Sequence, residues 1–550
     1  MKFSGRAQQH SCKSCAIVLL ALCALSFPAW TQPTAPNSYY VHSAVAGDTL
    51  VHLAARYLIK PNDWQSLQKV NKIADPYRIR PGTAIRIPIA DMNTELAPAK
   101  VVSVGGPVEA GSTKLAVGSA VVEGQNIKTG DNGFVTLKLA DGSVLVVNSK
   151  SKMRLDAART ITNTNGIPVT RVMLESGRVE AQVEKQKRAG PGRFEIRTPT
   201  SNMGVRGTKF RVSSDDDGKT ARGEVLEGLV NVAGSDANAA IDVGAGFGTV
   251  VAQSQPPLQA VKLAAAPDLS STSKLQERPV LRFQFADQPD ARGYRAQVAS
   301  DIAFADLRAE AIFKSAEAKF ADLADGQYFL RVRAIDSLGI EGSDTVLPFR
   351  LKARPEPPFT SAPQNNGKFS GNQAAFSWSS ASEAASYRFQ LSRDVAFMAP
   401  LVDEKSYKGA SYAPATTLAP GNYFWRVASI RADGDAGPFS DVQSFLLKPV
   451  PAAPNPPKED GNRVSFSWGA EPGQKFDFQL ARDSGFKDLV TEQKTDKPEI
   501  SIDKPGDAGT YFMRYRATDP DGFVAPYSSA QSFEVKRSYW WLLLLLPLVF

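Results

Sequence analysis

The chain has 550 residues, 43% of them hydrophobic, so it is long enough to form several domains with buried cores. Lys and Arg number 64 against 56 Asp and Glu, which gives a net charge of +8. Because this charge is small for the length, a dedicated nucleic-acid-binding protein is not expected.

The first 31 residues have the three regions of a secretory signal peptide. Basic residues between Met1 and Lys13 precede an apolar run from Ala16 to Leu25, and cleavage is expected at Thr31 or a neighbour. The run is too short for a comfortable membrane span. Since the segment carries three basic and no acidic residues, its removal lowers the net charge from +8 to +5. We therefore expect an exported protein of the periplasm or cell envelope.

All three cysteines, Cys12, Cys15 and Cys23, lie inside this segment. The exported chain is thus expected to lack disulfides, a thiolate nucleophile and a cysteine-metal site. Lipidation of Cys23 is disfavoured because Leu22 occupies the preceding position, where a small residue is needed. No cofactor and no metal are expected.

An early segment carries the pattern of a strand, two helices and a closing strand. Tyr40 to Val45 indicates a short strand, and the turn Gly47 to Thr49 can cap a helix whose apolar residues recur at helical spacing. A second helix is predicted to end at Asn71. A Pro-Gly turn then leads into a strand from Ala84 to Ile87.

This segment, residues 38–90, resembles a LysM domain. The matching positions are Tyr40, Val41, Gly47, Asp48, Thr49, Leu50, Ala54, Tyr57, Trp64, Leu67, Asn71, Pro81, Gly82, Ile85, Ile87 and Pro88. The resemblance implies binding of N-acetylglucosamine-containing glycans, here peptidoglycan, in a shallow groove between the first turn and the loop before the last strand. The implied groove residues are Gly47, Asp48, Thr49, Leu50, Asn71, Ile73, Ala74, Asp75 and Ile79. The alternative is that Asp48, Thr49 and Asn71 serve only as helix caps and turn residues.

Residues 91–114 are expected to form a linker, because Ala, Pro and Gly interrupt any pattern. Residues 115–235 then read as a domain of alternating strands. Within it, Asp141-Gly142 between two alternating runs predicts a hairpin that joins Phe134–Leu139 to Val144–Val147. No helix of useful length is predicted in this domain.

This second domain resembles the FecR type. The resemblance rests on Gly124, Ile127, Thr129, Gly130, Asp141, Gly142, Ser143, Gly177, Thr198, Pro199, the stretch Val205-Arg206-Gly207-Thr208, Phe210, Val212, Val225, Glu227, Gly228 and Val230. Signalling members of the family relay a signal from an outer-membrane transporter and control a sigma factor through a cytoplasmic region. This chain instead begins with an export signal and a LysM-like segment, so only an envelope interaction or scaffold role carries over. Arg206 to Thr208 is interpreted as a structural closure of the sheet, with Gly207 allowing a backbone bend.

After a second predicted linker at 253–274, the chain repeats itself three times, over residues 275–352, 358–448 and 455–536. Equivalent aspartates at Asp301, Asp394 and Asp483 are 93 and 89 residues apart, and each precedes a Phe by three positions. Alternating strands at this period, with a late Tyr, resemble immunoglobulin-like or fibronectin type III sandwiches. The predicted fold class is therefore a multidomain, mainly β protein with one small βααβ module.

The chain ends in a hydrophobic tail at 538–550, which as a helix would reach only about 20 Å. We expect peripheral membrane contact or partner docking through this tail. No catalytic residue is expected, because histidines occur only at His10, His42 and His52 and the exported chain has no cysteine. The predicted function is a non-catalytic, wall-docked envelope protein with a protein partner. The alternative is a periplasmic signal relay that uses the FecR-type domain with a membrane partner.

Overall fold

The computed structural model describes residues 39–164, 166–184, 193–205, 207–235, 239–371 and 374–536. The predicted signal peptide, Arg206 and the hydrophobic tail lie outside the described residues. The chain forms two compact units. The first contains the residues up to Glu95 together with Arg159–Val169, and the second contains most of the remainder. The predicted mainly β, multidomain fold class is confirmed.

The first unit has the predicted order of strand, helix, helix and strand. Its elements are β1 (Tyr39–Ser43), α1 (Leu50–Tyr57), α2 (Trp64–Asn71) and β2 (Ala84–Pro88), followed by one 3-10 turn (Ile89–Asp91). β1 and β2 pair antiparallel, with Tyr40 opposite Ile87. The Thr49 hydroxyl accepts the His52 amide at 3.0 Å and so caps α1.

The core of the first unit is formed by one face of each helix against the two strands. Its fully buried members include Leu50, Ala54, Leu67, Ile85 and Ile87. The tip of a hairpin far along the chain completes this core with Ile161, Ile167 and Val169. The same tip is fixed by hydrogen bonds, because the Thr162 amide donates to the Asn93 carbonyl at 3.0 Å and the Asn163 side-chain amide donates to the Arg56 carbonyl at 2.8 Å. The sequence did not indicate this contribution.

The FecR-type domain is built from consecutive, mostly antiparallel strands. They are β3 (Thr94–Leu96), β4 (Ala99–Gly105), β5 (Val108–Ala110), β6 (Thr113–Lys114), β7 (Ala120–Val121), β8 (Asn126–Thr129), β9 (Phe134–Lys138), β10 (Val144–Val147), β11 (Lys152–Ile161), β12 (Ile167–Gln182), β13 (Arg193–Arg197), β14 (Ser201–Val205), β15 (Lys209–Ser214), β16 (Thr220–Glu227), β17 (Leu229–Gly234), β18 (Ala240–Gly244), β19 (Phe247–Ala252) and β20 (Val261–Lys262).

One sheet of this domain runs in the order β4-β9-β10-β12-β15-β16-β19. A second layer runs β13-β14-β17-β18. Alternate residues of both layers point into a shared core that includes Val101, Leu137, Val179, Val212 and Val232. The predicted hairpin forms as β9 and β10, with Val144 opposite Lys138 and Gly142 at φ 89°.

The structure differs from the predicted linker at 91–114. Four strands, β3 to β6, form there, and β4 pairs with β9 along its length. Ala99 and Val101 are fully buried because their side chains alternate inward, so small residues here fit a tight core and do not break the strand. β12 is the longest strand of this domain and runs without a break from Ile167 to Gln182.

The three repeats form sandwiches of two sheets. The first has β21 (Leu275–Gln276), β22 (Leu281–Gln284), β23 (Gly293–Ala299), β24 (Leu307–Phe313), β25 (Glu317–Phe320), β26 (Gly326–Ile335) and β27 (Thr345–Leu351). The second has β28 (Thr360–Ala362), β29 (Gly367–Ser370), β30 (Phe376–Trp378), β31 (Ser386–Ser392), β32 (Val402–Tyr407), β33 (Ser411–Tyr412), β34 (Gly421–Ile430), β35 (Ala436–Phe439) and β36 (Gln443–Lys448). The third has β37 (Lys458–Asp460), β38 (Arg463–Ser467), β39 (Lys475–Ala481), β40 (Leu489–Thr495), β41 (Glu499–Asp503), β42 (Gly509–Thr518) and β43 (Gln531–Val535).

The larger sheets repeat one arrangement. In each, a middle strand (β23, β31 or β39) lies between the edge strand that follows it in the chain (β24, β32 or β40) and a long strand (β26, β34 or β42). The second predicted linker, 253–274, is also partly structured. β20 pairs with β19, and Leu269 is buried in the core of the first sandwich. Among the described residues, none of the helices combines the length and the apolar character needed to cross a membrane.

Candidate functional site

The two loops that the LysM resemblance assigns to a glycan groove lie side by side. The Leu50 amide donates to the Pro76 carbonyl at 2.8 Å, and this bond joins the start of α1 to the loop before β2. Gly47 and Ala74 are exposed on the two sides of this junction. Leu50 is fully buried beneath it. The bond therefore fixes the spacing between the loops.

Asp48 organises the first of these loops. Its Oδ2 accepts the Val45 amide at 2.8 Å and lies 2.7 Å from His42 Nε2. Burial alone raises the pKa of Asp48, but the hydrogen bonds from His42 and Val45 outweigh it and lower the pKa. The Tyr57 hydroxyl lies 3.3 Å from the other His42 nitrogen, and burial raises the pKa of Tyr57 to about 12. The carboxylate of Asp48 is thus held against its own turn.

Asn71 holds the second helix to the closing strand. Its Nδ2 donates to the Leu67 and Arg86 carbonyls, each at 2.8 Å, and its Oδ1 accepts the Arg86 amide at 2.6 Å. Thr49 is the cap of α1. The side chains of both residues are therefore engaged with backbone groups of the first unit.

The second loop presents mostly backbone groups. The carbonyls of Ile73 and Ala74 accept Gln68 Nε2 at 3.0 and 3.4 Å. Asp75 Oδ1 accepts the Tyr77 amide at 2.9 Å, and Asp75 itself is exposed. Ile79 is 9% exposed and supports the loop from the core side.

Tyr77 is an exposed aromatic residue that the sequence analysis did not single out. It is 63% exposed, and its ring centroid lies 6.2 Å from that of Trp64. Its signal in the sequence is a lone aromatic within an otherwise polar loop. An aromatic face of this kind suits contact with the apolar side of a ring-shaped ligand.

These loops together offer backbone donors and acceptors, short polar side chains and one aromatic ring. Such a surface suits an uncharged polar ligand, whose hydroxyl and amide groups need paired hydrogen bonds. Within the described part of the chain, no group of three or more His, Cys, Asp or Glu residues is arranged to hold a metal ion.

A second concentration of functional side chains lies in the second unit, between the FecR-type domain and the first sandwich. We refer to it as the charge cluster, formed by Arg178, Glu180, Arg211 and Glu224 of the FecR-type domain with Arg295, Glu310, Arg331, Arg333, Glu341 and Asp344 of the sandwich. Its five arginines and five carboxylates balance in charge. No local pattern in the sequence indicates these contacts.

The charge cluster is tightly paired. Glu180 lies 2.8 Å from Arg331 and 2.6 Å from Arg333, so one carboxylate of the FecR-type domain bridges two arginines of the sandwich. In the other direction, Arg178 of the FecR-type domain lies 3.0 Å from Glu341 of the sandwich. Within its own domain, Arg178 also lies 3.2 Å from Glu224. Because Arg333 is only 1% exposed and Glu224 is fully buried, these pairs are shielded from water.

Burial and pairing act in opposite directions on these carboxylates. Burial alone raises the pKa of Glu180, but Arg331 and Arg333 outweigh it and hold the pKa well below its usual range. The pKa of Glu341 is lowered in the same way by Arg178 and Arg295. Burial dominates for Glu224 and raises its pKa.

An open cavity of about 710 Å³ adjoins the charge cluster. Arg178, Arg295, Glu310 and Glu341 form part of its wall, and Asp131 is among the residues at its edge. The arginines and carboxylates in this wall already pair with one another.

Two family models match the chain. One, described as LysM domain, matches residues 42–88, and the other, described as FecR protein, matches residues 125–231. The two resemblances drawn from the sequence are therefore confirmed, and the domains are of non-catalytic kinds. No curated protein matches the chain.

Solved structures similar to parts of the chain include a protein assigned as an anti-sigma factor from Parabacteroides distasonis, at 19% identity and a TM-score of 0.21. That match covers 25% of this chain and 59% of the other, less than two thirds of its length. The chicken CNTN1 FN1-FN3 domains match at 14% identity and a TM-score of 0.21, over 50% of this chain and 99% of theirs. Fibronectin(III)-like modules of Clostridium thermocellum CbhA match at 16% identity and a TM-score of 0.20, over 32% and 93%.

Proposed function

We propose that this is a non-catalytic, peptidoglycan-binding protein of the cell envelope. Its LysM domain docks it on the cell wall, and its FecR-type domain and sandwiches present surfaces to a protein partner. The observation that carries the proposal is the 2.8 Å bond from the Leu50 amide to the Pro76 carbonyl. This bond holds together two exposed loops within the LysM match at residues 42–88, and these are the loops that we propose form the glycan groove.

The chemistry of the two loops supports a glycan ligand. N-acetylglucosamine offers acetamido and hydroxyl groups, which bind through paired donors and acceptors without requiring charge. In the proposed groove, Gly47 and Ala74 leave the backbone accessible, and Asp75 supplies a short polar side chain at the surface. Asp48 and Asn71 act through the loops that they hold, because their side chains are engaged with neighbouring groups.

Co-sedimentation of the exported chain with purified peptidoglycan tests this function. The decisive variant is Ala74→Arg, which places a long side chain in the groove without altering the core, since Ala74 is exposed. The matched control is Ala55→Arg, the same change at an exposed position on α1. We expect the unmodified chain and Ala55→Arg to pellet with the glycan, and Ala74→Arg to remain largely in the supernatant. Equal pelleting of both variants would remove the groove assignment.

A second candidate function is a signal relay through a membrane partner, which the FecR match at residues 125–231 favours. The two functions predict different binding partners when the protein is purified from cells. Reproducible recovery with one inner-membrane protein after the wall has been digested would favour the relay, whereas loss of every association after digestion would favour the wall-docked scaffold.

A further inference from the structure

The three sandwiches share one arrangement around an arginine in the long central strand. In the first, Arg331 Nε donates to Gln297 Oε1 at 2.8 Å, and the guanidinium lies 4.2 Å from the centre of the Phe304 ring. The remaining nitrogens reach outward, where Arg331 meets Glu180 of the FecR-type domain at 2.8 Å. The first sandwich therefore shows what this arrangement binds, namely a carboxylate on a strand of another domain.

The second sandwich contains the same arrangement. Arg426 Nε donates to Gln390 Oε1 at 2.9 Å, and the guanidinium lies 4.1 Å from the Phe397 ring and 4.1 Å from the Phe439 ring. The backbone is the same as well, because Phe304 and Phe397 both take the left-handed conformation, at φ 57° and 55°. The arginine is thus held in place on both faces before any ligand binds.

The two sandwiches differ in the carboxylate that pairs with the arginine. Within the described ranges, Arg426 makes no ion pair, whereas the neighbouring Arg388 is paired with Asp403 at 2.8 Å. Glu341 pairs with Ile335 as Ala436 pairs with Ile430, and three residues further on Asp344 corresponds to Phe439. The carboxylate that faces the arginines of the first sandwich is thus replaced by a phenyl ring. Burial and the charge of Arg388 lower the pKa of Arg426, and the smaller opposing effects of Asp403 and Glu277 do not offset them. A further carboxylate beside Arg426 would therefore stabilise its charged form.

The turn beside the arginine differs in exposure between the two sandwiches. In the first, Phe304 and Leu307 are buried against Phe134 and Val146 of the FecR-type domain. In the second, the corresponding turn leaves Met398 and Leu401 open, at 85% and 55% exposure. Val395 is open too, at 61%, like its equivalent in the first sandwich, Ile302, at 70%. Apolar side chains around a fixed guanidinium are the composition of an interface centre.

We infer that Arg426, together with the turn that places Phe397 against it and exposes Val395, Met398 and Leu401, is a docking site for an Asp or Glu side chain that a partner protein presents on a β-sheet face with apolar neighbours. The partner makes the contact that Glu180 makes to the first sandwich. The inference rests on the proposed scaffold function for the presence of a protein partner, but it does not depend on glycan binding.

The third sandwich supplies a matched control. Arg514 Nε donates to Gln479 Oε1 at 2.8 Å, and its guanidinium lies 3.9 Å from the Phe486 ring and 4.1 Å from the Tyr527 ring. Its turn carries Ser484 and Lys487 where the second sandwich has Val395 and Met398, and keeps an exposed apolar residue, Leu489, near the position of Leu401. Arg514→Gln therefore removes an equivalent arginine beside a turn in which two of the three apolar residues are replaced by polar ones.

The test is photo-crosslinking of the full chain in its native cells, with a photoreactive amino acid at Met398. We expect an adduct with another protein whose crosslinked segment is a β-strand that carries Asp or Glu. Arg426→Gln should lower the adduct yield at least tenfold, while Arg514→Gln should leave it within twofold. Val395→Glu, which changes only an exposed side chain, should lower the yield as Arg426→Gln does.

Pairing of the two charges is tested by exchange. Changing the identified acidic residue of the partner to Arg should abolish the adduct with the unmodified chain and restore it with Arg426→Glu. A yield that is unchanged in Arg426→Gln and Val395→Glu, an adduct only with a second copy of this chain, or no protein adduct at all would overturn the inference. Peptidoglycan pelleting of the same variants should be unchanged, so a failure of wall docking is distinguished from a failure of this site.

Discussion

Glu180 accepts a hydrogen bond of 2.8 Å from Arg331, and this contact joins the FecR-type domain to the first sandwich across more than 150 residues of sequence. Arg333 donates to the same carboxylate at 2.6 Å. Both arginines are almost fully buried, so the carboxylate cannot be replaced by water without opening the interface. The two domains are therefore joined by buried ion pairs, in which Glu180 of one domain neutralises Arg331 and Arg333 of the other.

Replacing the Glu180 carboxylate should destabilise the folded chain. We expect Glu180→Gln to lower the free energy of unfolding by about 3–5 kcal/mol, because two buried arginines lose their shared counter-charge. Urea unfolding of the full chain, followed by tryptophan fluorescence, measures the change. Glu184→Gln, an exposed position just beyond β12, serves as the control and should change the free energy by less than about 0.5 kcal/mol. Similar effects of the two substitutions would contradict the role of Glu180.

The charge cluster also predicts an acid sensitivity. The pKa values of Glu180, Glu341 and Asp344 are lower in the folded chain than in the unfolded chain. Their contribution to stability is therefore present above the unfolded pKa of about 4 and is lost as the pH falls from there through the folded pKa values. Glu224 acts in the opposite direction, since burial raises its pKa. Three carboxylates with lowered pKa values oppose this single group.

Calorimetry between pH 7 and pH 3 should show a steep fall in the melting temperature of the second unit below about pH 4. In Glu180→Gln the fall should be shallower, because one of the depressed carboxylates is absent. An identical slope in the two proteins would show that Glu180 does not carry this pH dependence.

Asn71 should act on stability more than on affinity. Its side chain makes three hydrogen bonds to the backbone of Leu67 and Arg86, so Asn71→Ala should destabilise the first unit by about 2–3 kcal/mol. At a temperature well below its melting point, the variant should still pellet with peptidoglycan. Complete loss of pelleting in a folded variant would instead give Asn71 a direct glycan contact.

Gly177 should be intolerant of a side chain for two reasons. Its φ is 92°, and a Cβ would stand 2.4 Å from Ser151 Oγ and 2.7 Å from the Lys150 carbonyl oxygen. Gly142 has nearly the same φ, 89°, but its nearest contact would be 3.6 Å away, at Glu184. We expect Gly142→Ala to cost about 1–2 kcal/mol from backbone strain alone and Gly177→Ala at least twice as much, as measured by urea unfolding. Equal costs would show that Ser151 moves aside easily.

Local patterns predicted much of the fold. The Asp-Gly pair at residues 141 and 142 predicted the β9–β10 hairpin because its geometry depends on those two residues. The period of Asp301, Asp394 and Asp483 predicted the sandwiches, since equivalent residues hold equivalent turns. The cap of α1 was predictable for the same reason, because a helix cap also depends on neighbouring residues.

Long-range contacts were not predictable in this way. Arg178 and Glu180 alternate with Val179 and Ala181 on β12, which is the pattern of a strand with one face in water. That face is covered by a sandwich more than a hundred residues later, and the two arginines that neutralise Glu180 give no local sign of it. For the groove, the sequence indicated the loops, but it could not show that the side chains of Asp48 and Asn71 turn toward their own backbone.

The hairpin tip that completes the core of the first unit has a consequence for folding during synthesis. Ile161, Ile167 and Val169 enter that core some 70 residues after β2 has ended. As the chain emerges amino-terminus first, the core of the first unit stays incomplete until residue 169 is available, and by then the strands that precede β12 have also emerged and can pair. A fragment cut at residue 95 would carry an apolar gap in place of the tip. The first unit is thus formed by separate segments of the chain and not by one continuous segment.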